Sequence, residues 1–273
     1  MTYFGFLAVF LGIPIAVLAF IAWRDRRMGR DLPPVLSSWP PYAVIAAHCL
    51  VALVYTTPWD NYLVATRVWW YHPELVTGVV IGWVPIEEYT FFVLQPILTG
   101  LWLVFLARRL SPPPAAMTSR YASLQRWGGL AALALLWVIS VVILWTGKQP
   151  LTYMALLMAW ALPPLLLQVA FGGDILWHYR KLILWTLIPV TVYLCVADAL
   201  AIESGTWTIN PEQSVNIFVG GLPLEEIVFF LMTNVLISVG ITLVLARQSQ
   251  ERAPAVVRGL LGRLSRRSVA ASS

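Results

Sequence analysis

The residues best suited to chemistry are two copies of a Pro-x-Glu-Glu element, Pro85-Ile86-Glu87-Glu88 and Pro223-Leu224-Glu225-Glu226. Each is followed by a phenylalanine pair, Phe91-Phe92 or Phe229-Phe230. Proline pre-sets a first helical turn, so the carboxylates fall where unpaired N–H groups and the helix dipole favour negative charge. Adjacent helical residues point about 100° apart, so one pair cannot aim both acids at one spot. Glu88 shares a face with Phe92 and Gln95, and Glu226 with Phe230 and Thr233. Glu88 and Glu226 are expected to face a polar interior cavity, with Glu87 and Glu225 at the interface between the copies or at the mouth of the site. Neighbouring carboxyls in an apolar setting separate into one that keeps its proton and one that is charged. Together they supply a general acid and a general base.

A second element, Pro58-Trp59-Asp60-Asn61-Tyr62, precedes Trp69, Trp70 and Tyr71. Its copy keeps Asp198 and Trp207 but has Ala197 and Ala199 in place of Trp59 and Asn61. Trp59 and Trp69 flank the acids and are placed to stabilise a cation, whereas Trp70 and Tyr71 fit a membrane-interface belt. His48, His72 and His178 are scattered, and Cys49 and Cys195 lie in apolar runs, so no metal site or disulfide is expected. No glycine-rich dinucleotide or phosphate-binding motif occurs.

These elements belong to a duplication. Residues 60–92 align with 198–230 at a constant offset of 138, with ten identities in 33 positions. The identities fall on Asp, Glu, Pro, Gly, Trp and Phe rather than on interchangeable aliphatics. The offset relates span 2 to span 6 and span 3 to span 7. Span 1 is expected to match span 5, with span 4 as a connector. An even shift of spans gives a parallel repeat about an axis along the membrane normal.

Spans are the elements that must position these residues. Of 273 residues, 59% are hydrophobic and 11% charged, against roughly 25% charged in soluble domains. Lipid is therefore the main solvent. The fold class is an all-α membrane protein with seven transmembrane helices, predicted at Tyr3–Trp23, Pro41–Thr57, Ile86–Ala107, Trp127–Thr146, Leu151–Phe171, Tyr179–Asp198 and Leu224–Ala246. The apolar approaches Leu75–Val84 and Val215–Leu222 read as kinked or re-entrant. Sixteen of 18 Lys and Arg residues fall on one side, which places the N-terminus outside and the C-terminus inside. The net charge of +5 is therefore a topology signal and not a sign of nucleic-acid binding. The domain reading is 1–108 for the first repeat, 109–150 for linker and connector, 151–246 for the second repeat, and 247–273 for a basic cytoplasmic tail. In that tail, Val256–Leu264 reads as disordered or as a short amphipathic segment on anionic lipid.

Pro-Trp-Asp-Asn-Tyr at 58–62, Gly82-x-x-Pro85-x-Glu87-Glu88, and Gly221-Leu222-Pro223-Leu224-Glu225-Glu226 with Thr233-Asn234 resemble the c/d-type lycopene cyclases. These are integral-membrane carotenoid enzymes found as two small subunits or one fused chain, and this sequence looks like the fused form. Fungal relatives carry a fused phytoene synthase domain, which this chain is expected to lack. The resemblance implies that lycopene end groups close to β-ionone rings by protonation, cation cyclisation and proton loss, without redox change or cofactor. It casts Glu87, Glu88, Glu225, Glu226, Asp60 and Asp198 as catalytic. Trp59, Asn61, Trp69, Phe92, Gln95, Trp207, Phe230, Thr233 and Asn234 become substrate-binding. The expected partners are lycopene, membrane lipids and other carotenoid enzymes, in the cell membrane. The motifs leave ring type and C40 or C50 substrate open. A proton-coupled transporter is the alternative from another class. A retinal protein would need a lysine in the last span, which has none.

Overall fold

The computed structural model describes residues 1–111 and 122–253. The segment Val256–Leu264 lies outside them. Among the described residues, seven helices are long and apolar enough to cross a membrane: Tyr3–Arg27, Pro34–Ala65, Ile86–Ala107, Arg126–Thr146, Gln149–His178, Arg180–Glu203 and Leu224–Leu245. They are spans 1 to 7. Spans 3 and 7 are the most enclosed and form the centre of the bundle, with spans 2 and 6 packed beside them. Span 4 packs chiefly on span 5 and stands at the periphery.

Two sequence expectations are corrected. The predicted limits of several spans were too short. Span 2 runs as helix from Pro41 to Ala65 and span 6 from Arg180 to Glu203. Pro58 lies inside span 2, yet the helix continues through Trp59, Asp60 and Asn61. Asp60 and Asp198 therefore sit within helices and not at span ends. Neither apolar approach is a kinked or re-entrant helix. Each folds into a small antiparallel hairpin, β2–β3 (Val80–Ile81 with Val84–Pro85) and β5–β6 (Phe218–Val219 with Leu222–Pro223). Glycine turns explain this. Gly82 has φ of 69° and Gly221 φ of 85°, a left-handed backbone that side chains disfavour. Pro85 and Pro223 are extended and end their strands immediately before the helix starts.

The halves also meet in a two-stranded ladder. β1 (Trp69–Tyr71) pairs antiparallel with β4 (Trp207–Ile209), with Trp69 opposite Ile209, Trp70 opposite Thr208 and Tyr71 opposite Trp207. Deeper in the bundle, Gln95 Nε2 donates to Thr233 Oγ1 at 2.8 Å, and Thr99 Oγ1 donates to Asn234 Oδ1 at 2.8 Å. These bonds join spans 3 and 7 through buried polar groups. At the far end, Arg109 grips Asp25 with two bonds of 2.8 and 2.9 Å, tying span 3 to span 1. Arg252 grips Asp174 of span 5.

Candidate active site

Glu88 and Glu226 lie in the first turns of spans 3 and 7, which bring them to one cavity. Its volume is about 50 Å³. Asp198 lines it too, and its walls are aromatic: Phe6, Trp69, Phe91, Trp207, Phe229 and Phe230.

Each glutamate is held by a buried tyrosine from the N-terminal end of a neighbouring span. Tyr3 Oη donates to Glu88 Oε2 at 2.5 Å, and Tyr153 Oη donates to Glu226 Oε1 at 2.6 Å. Tyr71 adds a second donor to the same Glu88 oxygen at 3.0 Å. Position 209, which matches Tyr71 at the offset of 138, is isoleucine. Burial, with the carboxyls of Asp60 and Glu88 close by, pushes the Tyr71 phenol well above its usual range, so it remains a donor. Asp198 accepts from Trp207 Nε1 at 3.0 Å through one oxygen, and its other oxygen is buried without a hydrogen-bond partner. Asp60 differs. Trp69 Nε1 donates to Tyr71 at 3.2 Å instead, and both Asp60 oxygens are buried without a hydrogen-bond partner.

Glu87 and Glu225 turn away from the cavity. Glu87 Oε1 accepts the Thr77 backbone N–H at 2.6 Å, and Glu225 Oε1 accepts that of Val215 at 2.7 Å and the Ser214 hydroxyl at 3.0 Å. Both therefore hold the loop leading into a hairpin. Asn61 is likewise a fastener. It accepts from Trp83 N at 2.8 Å and donates to Tyr89 Oη at 2.9 Å, tying span 2 to the first hairpin. Gln95, Thr233 and Asn234 join the central helices, and Phe92 packs edge-on against Tyr89. Trp59 stacks on Trp160 at 4.5 Å and stands edge-on to Trp69 at 5.6 Å. Of the expected site residues, then, Glu88, Glu226, Asp198, Trp69, Trp207 and Phe230 line the cavity, while the others support it from behind.

Sequence reasoning missed Tyr3 and Tyr153, and it read Tyr71 as part of a membrane-interface belt, whereas Tyr71 lines the cavity and donates to Glu88. The signal of the first two is Thr2-Tyr3 against Thr152-Tyr153, with Pro14 against Pro164, at a second offset of 150. A 12-residue difference between the offsets hid span 1 and span 5 from a single gapless alignment. Among the described residues, no cluster of three or more His, Cys, Asp or Glu could hold a metal ion.

Comparison with known proteins gives the family. The lycopene cyclase family matches residues 1–106 and 150–245, most of the chain. The chain belongs to the lycopene cyclase family. A lycopene beta-cyclase of Halobacterium salinarum is 38% identical over 255 residues, covering 90% of this chain and 98% of that protein. Bifunctional lycopene cyclase/phytoene synthases are similar over a shorter stretch. That of Podospora anserina is 35% identical over 205 residues, 72% of this chain but 34% of the fungal protein. That of Phaffia rhodozyma is 33% identical over 234 residues, again with 34% of its length covered. No solved structure matches the chain.

Proposed function

We propose that this membrane enzyme closes β-ionone rings on the linear ends of lycopene, giving γ-carotene and then β-carotene, at the cavity between Glu88 and Glu226. The observation that carries the site is the convergence of two tyrosine-held glutamates and Asp198 in one aromatic cavity. A proton adds to the terminal double bond of the end group and leaves a tertiary cation. The next double bond attacks that cation and closes a six-membered ring. Loss of a ring proton restores neutrality. Atoms and electrons balance without an oxidant or reductant, so the stoichiometry needs no cofactor.

Alkenes are weak bases, so the acid must be neutral and sheltered from water. Asp198 and Glu226 line the same cavity, and two carboxyls sharing one apolar site hold one proton between them in preference to two charges. We assign the initiating proton to this pair. Two phenol donors on one Glu88 oxygen stabilise a charge there, which fits the group that accepts the final proton. Because both groups line one cavity, the proton taken by Glu88 can return to Glu226 for the next ring. The aromatic walls present π faces and edges to the cation between these steps.

The repeats support a two-fold reading of the architecture. In the β1–β4 ladder, Trp69 lies opposite the match of Tyr71, and Tyr71 opposite the match of Trp69. Gln95 bonds Thr233, its own match at the offset of 138. Both points lie on one axis running down the bundle. With 16 of 18 bases assigned to the other side, this cavity faces the outer leaflet of the cell membrane, with the N-terminus outside and the C-terminus inside. The domains are then 1–108 and 151–246, joined through 109–150.

The test is expression of E88Q and E226Q in lycopene-accumulating cells, with the carotenoids separated by chromatography. Wild type is expected to yield cyclic products and both variants to leave lycopene. Full cyclisation by either variant would remove that glutamate from the mechanism.

A further inference from the structure

We propose that the polyene body of the substrate lies in a lipid-facing groove between spans 1 and 6, and that its end group reaches the carboxylates from that side alone. The inference rests on the cyclase reading above and concerns how its substrate is seated.

Two lateral faces of the bundle can be compared residue by residue, using the offset of 138 for spans 2 and 6 and of 150 for spans 1 and 5. Pro14 and Pro164 have no N–H, so the carbonyls of Phe10 and Trp160 lose their helical donors. A tyrosine from the facing span takes each one. Tyr193 Oη donates to Phe10 O at 2.8 Å, and Tyr55 Oη donates to Trp160 O at 2.9 Å. Up to this point the faces agree.

They part at the position beside the tyrosine. On the span 2 side, Trp59 fills the gap. It stacks on Trp160, lies parallel over Phe229 at 6.1 Å, meets Trp69 edge-on, and donates to the Leu156 carbonyl at 3.2 Å. On the span 6 side its match is Ala197, and the match of Trp160 is Phe10. The matches of Phe229, Trp69 and Leu156 are Phe91, Trp207 and Phe6, and all three line the reaction cavity. The cavity thus takes in the space that an indole occupies on the other face.

A groove of about 510 Å³ lies on this same face, lined by Pro14 and Val17 of span 1, Leu98 of span 3, and Val190 and Tyr193 of span 6. Phe6 lines the cavity and packs on Phe10, with rings 5.1 Å apart, and the Phe10 carbonyl holds Tyr193 of the groove. Both phenylalanines sit where span 1 departs from α-helical bonding, in or beside the π-helical turn Leu7–Gly12. A cavity of about 50 Å³ holds one or two waters and not a terpenoid end group. The wall must yield on binding, and Phe6 and Phe10 stand in or beside this irregular turn. The groove is apolar and lies on the face where the cavity takes in the space of the missing indole, which fits a long conjugated hydrocarbon whose end must enter while its body stays in lipid.

The experiment compares V17W with its match on the opposite face, L167W, in proteoliposomes containing lycopene. Both positions face lipid, so both variants should fold. V17W is expected to raise KM roughly tenfold with kcat little changed, and L167W to behave as wild type. A197W, which places an indole in the cavity, is expected to lower ring formation by about 100-fold. Equal kinetics for V17W and L167W, whether both normal or both impaired, would overturn the proposal and leave the groove to lipid acyl chains. Failure of the wild-type chain to form any ring in the same assay would reject the cyclase reading itself, so the two failures are distinct.

Discussion

Glu88 accepts two phenol hydroxyls on one oxygen, from Tyr3 and Tyr71, whereas Glu226 accepts one, from Tyr153, and has Asp198 beside it. The two glutamates come from matching positions of a duplicated sequence. Their surroundings have diverged through a few substitutions: Tyr71 against Ile209, Trp59 against Ala197, and Asn61 against Ala199. Asp198 keeps its tryptophan donor, while Asp60 has lost it to Tyr71. In the mechanism proposed above, two copies of one carboxylate site have become a site that holds charge and a site that holds a proton. Cyclisation needs both at once, which two identical copies would not provide.

The comparison can be broken most directly at the proton source. E226Q is expected to slow ring formation by about 10²–10⁴-fold, measured as product per unit of membrane-inserted enzyme. D198N should approach that loss if the pair acts together. A near-normal D198N would assign the proton to Glu226 alone.

The tyrosines sharpen it next. Among the described residues Tyr153 is the one side-chain donor to Glu226, and a hydrogen bond to a charged group contributes about 1.5–3 kcal/mol. Y153F should therefore cost roughly 10–100-fold in kcat. Y3F, with Tyr71 still in place, should lose less, and the Y3F/Y71F double variant should lose more than the two single effects combined. Simple additivity would mean that the two phenols act independently.

Glu87 and Glu225 test stability and not chemistry. E87A and E225A each remove the side-chain acceptor of a part-buried loop N–H, Thr77 or Val215, which costs about 1 kcal/mol. Thermal unfolding in detergent should report that loss, while activity per folded molecule stays within a few-fold. The smallest contrast lies in the hairpin turns. Gly82 and Gly220 both have positive φ, but a side chain at 82 would collide with Asn61, whereas position 220 is open. G220A should cost about 1–2 kcal/mol of backbone strain, and G82A more.

Much of this was legible in the sequence because the duplication falls on special residues. Asp60/Asp198, Glu88/Glu226 and the flanking aromatics announce a paired site, and apolar run length announces the spans. Three things were not legible. Helices continue through Pro58 and beyond Asp198 because tertiary packing outweighs the local helix-breaking signal. Two-residue strands are too short to show a period, so the hairpins read as helix approaches. The helical face of a glutamate does not reveal its partner: Glu87 and Glu88 carry the same side chain, but only the fold shows one turned to a loop amide and the other to two phenols.

The β1–β4 ladder has a consequence for how such a molecule is assembled. Its register is isologous, since each half offers the same three-residue edge and receives it reversed. A half expressed alone would present that edge to any other half, identical copies included, with Trp70 then facing Trp70. Cutting the covalent tether between 111 and 122 should therefore leave two polypeptides that still find one another in the membrane, because the seam carries its own instructions for alignment.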